Sequence, residues 1–147
     1  MLTGLYNKMT FKQLAEDMLS EGTHALIIVD IDDFKNVNDT YGHLFGDEVI
    51  LTVASVVRDG FRSSDITGRI GGDEFVVIDA ESDRALFEDG VSRVCRSMKA
   101  HHISIAVGLS FRSENCDVEE QFDEADKNMY EAKDQHYRVH RNDGADR

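Results

Sequence analysis

Two pairs of carboxylates are the residues best placed to do chemistry. Asp30 closes the apolar run ALIIVDI, residues 25–31, with Asp32 just beyond it, and Asp73 and Glu74 follow Gly71-Gly72 in RIGGDEFVV, residues 69–77. Clustered carboxylates repel one another unless they are protonated or bridged by a hard cation, and oxygen ligands on rigid backbone suit Mg2+ or Mn2+. Two such ions can clamp a triphosphate, activate an attacking hydroxyl and stabilise a leaving pyrophosphate. Gly71 and Gly72, lacking Cβ atoms, let a flat base or ribose approach the turn backbone closely. Gly-Gly-Asp is also an ordinary solvated hairpin, so the nonapeptide alone leaves both readings open.

These acids need elements that bring them together. Residues 25–31 read as a central strand buried on both faces and emerging at an acid. Strands at 66–70 and 74–79 flank Gly71-Gly72, a dipeptide suited to two-residue hairpin turns of positive φ. If that hairpin pairs beside the first strand, Asp30 and Asp73-Glu74 converge. Around them, Thr10 and Gln13 make a capping-box pattern ahead of a stripe from Phe11 to Leu19, with Gly22 as its stop. A short helix starts near Phe34, and Val49, Ile50, Val53, Ala54 and Val57 mark a longer one to about Arg62. Val91, Val94, Cys95 and Met98 predict another helix, weakened by Gly90. Residues 103–109 alternate as a half-covered strand, and Phe122, Ala125, Met129 and Ala132 predict a last helix ending near Lys133. Met129 and Tyr130 fit its apolar rhythm. The order predicts an α+β layer with helices on a mainly antiparallel sheet.

The totals narrow the function classes. A chain of 147 residues with no proline, no repeat and no low-complexity tract suits a single domain, 1–147. Its 29 acidic against 16 basic residues give a formal charge of −13, which disfavours DNA, RNA and anionic membranes as partners. A phosphate ligand must therefore meet cations locally. Two cysteines, Cys95 and Cys116, lie in no metal-binding pattern and fit reduced, buried thiols of a cytoplasmic protein. No apolar run approaches membrane-spanning length. The adjacent His101-His102 pair lacks metal-ligand spacing.

VDIDDFKNVNDTYGHLFGDEVI, residues 29–50, taken with RIGGDEF, closely resembles the GGDEF family of diguanylate cyclases, which condense two GTP into cyclic di-GMP and pyrophosphate. The resemblance runs from LTGLYNK at 2–8 to ADKNMYEAK at 125–133. It implies a fold like the palm domain of nucleotide cyclases and polymerases. It also implies two Mg2+ or Mn2+ ions per GTP site, held by Asp30, the carbonyl of Ile31, Asp73 and Glu74. Asp73, assisted by Glu74, takes the role of base, and Lys35 a catalytic as well as a binding role. Guanine recognition falls to Asn38 and Asp47, since a carboxylate accepts from guanine N1–H and its exocyclic amine, an edge adenine lacks. Backbone N–H groups of Asp33, Phe34 and Lys35 at a helix start, with the Lys35 and Lys133 side chains, are implied to hold the phosphates. Taken singly, Asn38 reads as a cap, Asp47 as an N-terminal helix charge, Lys35 as a solvated cation and Lys133 as a C-terminal one.

Some positions depart from the family pattern. His136 and Tyr137 stand where Gly and a phosphate-binding Arg are usual, Arg138 follows one residue later, and Lys8 replaces an Arg. The segment between Cys95 and Ile103 is short for the family. RSSD, residues 62–65, lies where the family carries an RxxD inhibitory motif, so Arg62 and Asp65, with Arg93, are implied to bind cyclic di-GMP as product inhibitor; without that context they are a helix end and a turn cap. The family further implies a homodimer for catalysis and an attached sensory domain. The competing reading is a degenerate GGDEF module that senses cyclic di-GMP or GTP without turnover.

Overall fold

The computed structural model describes residues 2–19, 24–62, 64–79, 84–112 and 118–145. The elements are α1 (Lys8–Leu19), β1 (His24–Ile31), α2 (Phe34–Tyr41), α3 (His43–Gly60), β2 (Ile66–Arg69), β3 (Glu74–Asp79), α4 (Arg84–Ala100), β4 (Ile105–Arg112) and α5 (Val118–Ala145). Their order is the one read from the sequence.

The strands form one antiparallel sheet in the order β2-β3-β1-β4. β1 lies inside it because both its faces are apolar, and each strand residue sends its side chain to one face only. Ala25, Ile27, Val29 and Ile31 join Phe75 and Val77 under Ile50, Val53 and Val57 of α3 and Phe87, Val94 and Met98 of α4. Leu26, Ile28, Val76 and Ile78 face the other way, onto Phe11 and Ala15 of α1 and Phe122, Ala125 and Met129 of α5. Each fully buried Ile, Val or Leu contributes about 1.5–3 kcal/mol by leaving water, so the double layer holds β1 firmly. At the outer edge, Tyr6 bridges Gly68 in parallel, and Arg69 N–H donates to the Tyr6 carbonyl at 2.9 Å.

Element ends differ from the sequence reading for local reasons. Asn7, not Thr10, caps α1: its Oδ1 accepts from Thr10 N–H at 2.9 Å. The predicted stop at Gly22 lies outside the described residues. The β2–β3 loop is Gly71-Gly72-Asp73, closed by Ile70 N–H donating to the Glu74 carbonyl at 3.0 Å, and neither glycine is left-handed. Arg69 Nη2 braces it on the Gly72 carbonyl at 2.7 Å. Gly90 strengthens rather than weakens its region: it is buried where α4 meets the end of α3, and a Cβ there would press on the Phe61 ring and the Gly60 carbonyl. β4 starts late because Ile103 N–H still donates to the Met98 carbonyl at the end of α4, at 2.9 Å. α5 runs past Lys133 because neither proline nor glycine interrupts the chain before Gly144. Cys95 is exposed rather than buried, as is Tyr130, while Cys116 lies outside the described residues. Among the described residues, no helix is long and apolar enough to cross a membrane.

Candidate active site

The β1–β3 register brings the acids together. Asp30 is paired with Glu74, and Ile31 N–H donates to the Asp73 carbonyl at 3.1 Å, so the end of β1 and the hairpin loop are stitched side by side. Asp30 is buried, and its Oδ2 accepts from Lys133 Nζ of α5 at 2.7 Å. Its Oδ1 is also buried and has no hydrogen-bond partner among the described residues. Burial raises the Asp30 carboxyl above the usual carboxylate range; the charge of Asp73 adds to the rise, and Lys133 opposes it. Glu74 is likewise raised, first by burial and then by the charges of Asp30, Asp126 and Asp73. Lys133 thus stands as the cation in a nest of acids.

A divalent ion fits this donor set. The orphaned Asp30 Oδ1 and the neighbouring Asp73 carboxylate supply hard oxygen donors, the Ile31 backbone lies alongside through its N–H bond to the Asp73 carbonyl, and Lys133 only partly offsets the charge excess. Among the described residues no three His, Cys, Asp or Glu side chains are grouped as a ready shell, so backbone and substrate oxygens are needed to complete coordination. Asp32 belongs elsewhere: its Oδ2 accepts from Ser104 Oγ at 2.7 Å, on the β4 side of β1.

Beyond β1 the chain turns through Asp33, held left-handed at φ 53°, directly into α2. Asp33 makes no side-chain capping bond, and the first turn of α2 carries Phe34 and an exposed Lys35. A left-handed aspartate is uncommon, and such strain clusters where backbone has to meet a ligand. Asn38, further along α2, packs against Gly46 of α3 so tightly that a Cβ on Gly46 would collide with its side-chain oxygen. That contact sets Asn38 beside the turn of α3 that carries the exposed Asp47. Gly72 opens to free space, whereas a Cβ on Gly71 would reach Glu74 Oε2 at 3.2 Å.

The RxxD residues form a second cluster at the Asp79 end of β3, the end away from Glu74. Arg62 N–H donates to Asp65 Oδ2 at 2.8 Å, Arg62 Nη2 donates to Asp79 Oδ2 at 3.0 Å, and Arg93 Nη2 donates to the Gly60 carbonyl at 2.9 Å. All four side chains border one small cavity of about 80 Å³, and Arg58 joins Arg62 and Asp65 around an adjoining one of about 330 Å³. Burial, with the Asp79 charge adding to it, pushes the Asp65 carboxyl up to about 6.

Sequence reasoning missed Asp126, Arg58 and Asp79. Asp126 had a signal, since it lies two helical turns before Lys133 on the same face of α5. Asp79 had none, because its role depends on β3 ending beside Arg62. The side chains of His136, Tyr137 and Arg138 lie outside the described residues.

An antiparallel four-stranded sheet with helices on both faces and acids at the β1–β3 end defines a palm-like α+β domain. The chain belongs to the GGDEF family: the family model described as "Diguanylate cyclase, GGDEF domain" matches residues 1–138. The diguanylate cyclase DgcS of Shewanella oneidensis is 37% identical over 142 residues, spanning 90% of this chain and 48% of that protein, so the chain corresponds to about half of that relative. The GGDEF domain of YfiN from Pseudomonas aeruginosa superposes with a TM-score of 0.82 at 29% identity, over 91% of this chain and 87% of that one. DgcB of Caulobacter crescentus, solved with its coiled coil and in complex with cyclic di-GMP, gives 0.84 at 25% identity, over 91% and 79%.

Proposed function

We propose that this chain is the catalytic domain of a diguanylate cyclase, in which two copies, each holding one GTP, face each other and join the nucleotides into cyclic di-GMP with release of two pyrophosphates. The observation that carries this reading is the β1–β3 register, which seats Asp30, Asp73 and Glu74 at one sheet end beside the open side of the glycine loop at Gly72. Asn38 and Asp47 read the guanine edge, the first turn of α2 and Lys35 receive the phosphates, and Lys133 adds positive charge against them. Asp30, the Ile31 carbonyl and Asp73 are the donors for two Mg2+ or Mn2+ ions, with Glu74 adjacent; when bound, the ions lower the hydroxyl pKa and neutralise charge on the phosphates. Asp73 accepts the 3′-hydroxyl proton, and Glu74, whose affinity for protons is raised by burial and then by its acidic neighbours, assists at the same site. Since each hydroxyl attacks the α-phosphorus of the other nucleotide in line, one domain supplies half of the reacting geometry. Dimerisation driven by an attached sensory region completes the proposal.

The cluster of Arg62, Asp65 and Arg93 is proposed as the product site. Guanidinium groups pair with phosphate and stack on guanine, and Asp65 accepts from the base edge.

The deciding experiment is GTP turnover with Mg2+ or Mn2+ at high protein concentration, followed by nucleotide chromatography. Cyclic di-GMP formation that disappears in Asp73→Ala is the expected result. Turnover that survives this substitution overturns the catalytic assignment, and tight nucleotide binding without turnover replaces it with the sensor module.

A further inference from the structure

A cavity of about 490 Å³ lies outside both clusters above, between the α2–α3 pair and the connection from α4 to β4. Its volume falls in the range of small-molecule pockets, and its floor is apolar, made by Ile31, Val37, Val49 and Ile103. At its mouth Tyr41 and Phe45 are tilted against each other, ring centroids 4.9 Å apart, although both remain exposed. Among the described residues its acidic lining is Asp32 and Glu48, and no lysine or arginine borders it. Ser104 Oγ occupies one oxygen of Asp32; the other, Oδ1, is buried with no hydrogen-bond partner among the described residues.

The backbone of this wall turns through a left-handed residue. α4 ends in a Schellman motif: Ile103 N–H donates to the Met98 carbonyl at 2.9 Å and His102 N–H to the Lys99 carbonyl at 3.1 Å. The residue at its left-handed position is normally glycine, yet here it is His102 at φ 58°. Glycine would meet this position at lower backbone cost, and the imidazole carried there instead borders this cavity.

We propose that this cavity is a binding site for a small organic cation, an amine or guanidinium on a flat apolar body. Its acids, with no lysine or arginine on the wall to answer them, pair with the charge; the Tyr41 and Phe45 faces add cation–π attraction, and the His102 ring closes on the body.

The test is titration of the chain with tyramine at pH 8, read by ligand-observed NMR without nucleotide. The comparison is 4-hydroxyphenylacetate, which carries the same ring with a carboxylate. Tyramine binds, and the anion binds at least about tenfold more weakly. Asp32→Asn and the more exposed Glu48→Gln each weaken tyramine by a similar factor. His102→Gly weakens it too, while raising Tm by about 2–4 °C as the left-handed cost is relieved. No tyramine binding at millimolar concentration, equal affinity for the anion, or unchanged affinity in His102→Gly each overturns the proposal. A merely structural His102 would give the Tm rise with no change in binding.

Discussion

Removing Lys133 and removing Asp30 break the same ion pair, but the two substitutions are expected to differ in cost. The pair is 2.7 Å long, and its side chains are 20% and 10% exposed respectively. Deleting one partner of a fully buried pair costs about 3–5 kcal/mol because the survivor is left charged and unsolvated, whereas exposed pairs are worth about 0–1 kcal/mol. With this partial exposure, Lys133→Met should destabilise the fold by about 2–3 kcal/mol, leaving Asp30 against Asp73 and Glu74 without a cation. Asp30→Asn should cost about 1 kcal/mol or less, since the long Lys133 side chain can reach water and two acidic neighbours lose a repulsive partner. For a chain of this length the first change lowers Tm by roughly 6–12 °C and the second by no more than about 4 °C. Because burial already holds the Asp30 pKa above its unfolded value, the native state binds the extra proton: stability from this group is complete below its unfolded pKa and is lost as pH rises through the folded one. Losing Lys133 moves the folded pKa further up, so the Lys133→Met deficit shrinks on acidification. Thermal and urea unfolding in EDTA and in MgCl2 read both effects, and Mg2+ at ten times its dissociation constant returns about 1.4 kcal/mol to Lys133→Met and nothing to Asp30→Asn. Equal Tm losses in the two variants, or Mg2+ stabilisation surviving in Asp30→Asn, would refute the reasoning.

Gly46→Ala should displace Asn38 while leaving helix α3 intact, raising the dissociation constant for GTP about 10–100-fold at nearly unchanged Tm; unchanged affinity in calorimetry would separate Asn38 from guanine recognition. Asp65, held at about 6, contributes stability that is full below its unfolded value near 4 and lost as pH rises through 6. Asp65→Asn, whose amide oxygen can still accept from Arg62 N–H, should therefore gain Tm relative to the parent between pH 4 and 7, and parallel curves would contradict this. Arg62→Ala should weaken cyclic di-GMP binding at least about tenfold, and it should destabilise the fold by about 1–3 kcal/mol because the buried Asp79 carboxylate loses the Arg62 guanidinium. Retained affinity for the dinucleotide would remove Arg62 from the product site.

Much of the architecture was legible because it rests on local rules. The run from Ala25 to Ile31 suits a strand covered on both sides, and the glycine loop between two apolar stretches suits a hairpin, so the meeting of Asp30 with Asp73 and Glu74 required only that the two pair side by side. What stayed hidden depends on contacts between distant segments. The Lys133 contact with Asp30 requires α5 to cross the open end of β1, and the Arg62–Asp79 pair requires the end of β3 to reach the start of the RxxD turn. Gly90 was misjudged because helix propensity counts only the helix that contains it, not the α3 end that needs the missing Cβ. The left-handed His102 was illegible for a similar reason: nothing in an adjacent His-His pair marks which one terminates a helix.

The parallel bridge of Tyr6 to Gly68, with Arg69 anchored on the Tyr6 carbonyl, has a mechanical consequence. Arg69 also grips the Gly72 carbonyl, so the stretch ahead of α1 and the glycine loop are coupled like a handle and its latch. A tug or twist applied at Tyr6 is transmitted through one arginine to the backbone that carries Asp73, with no need to deform the double-sided core behind it.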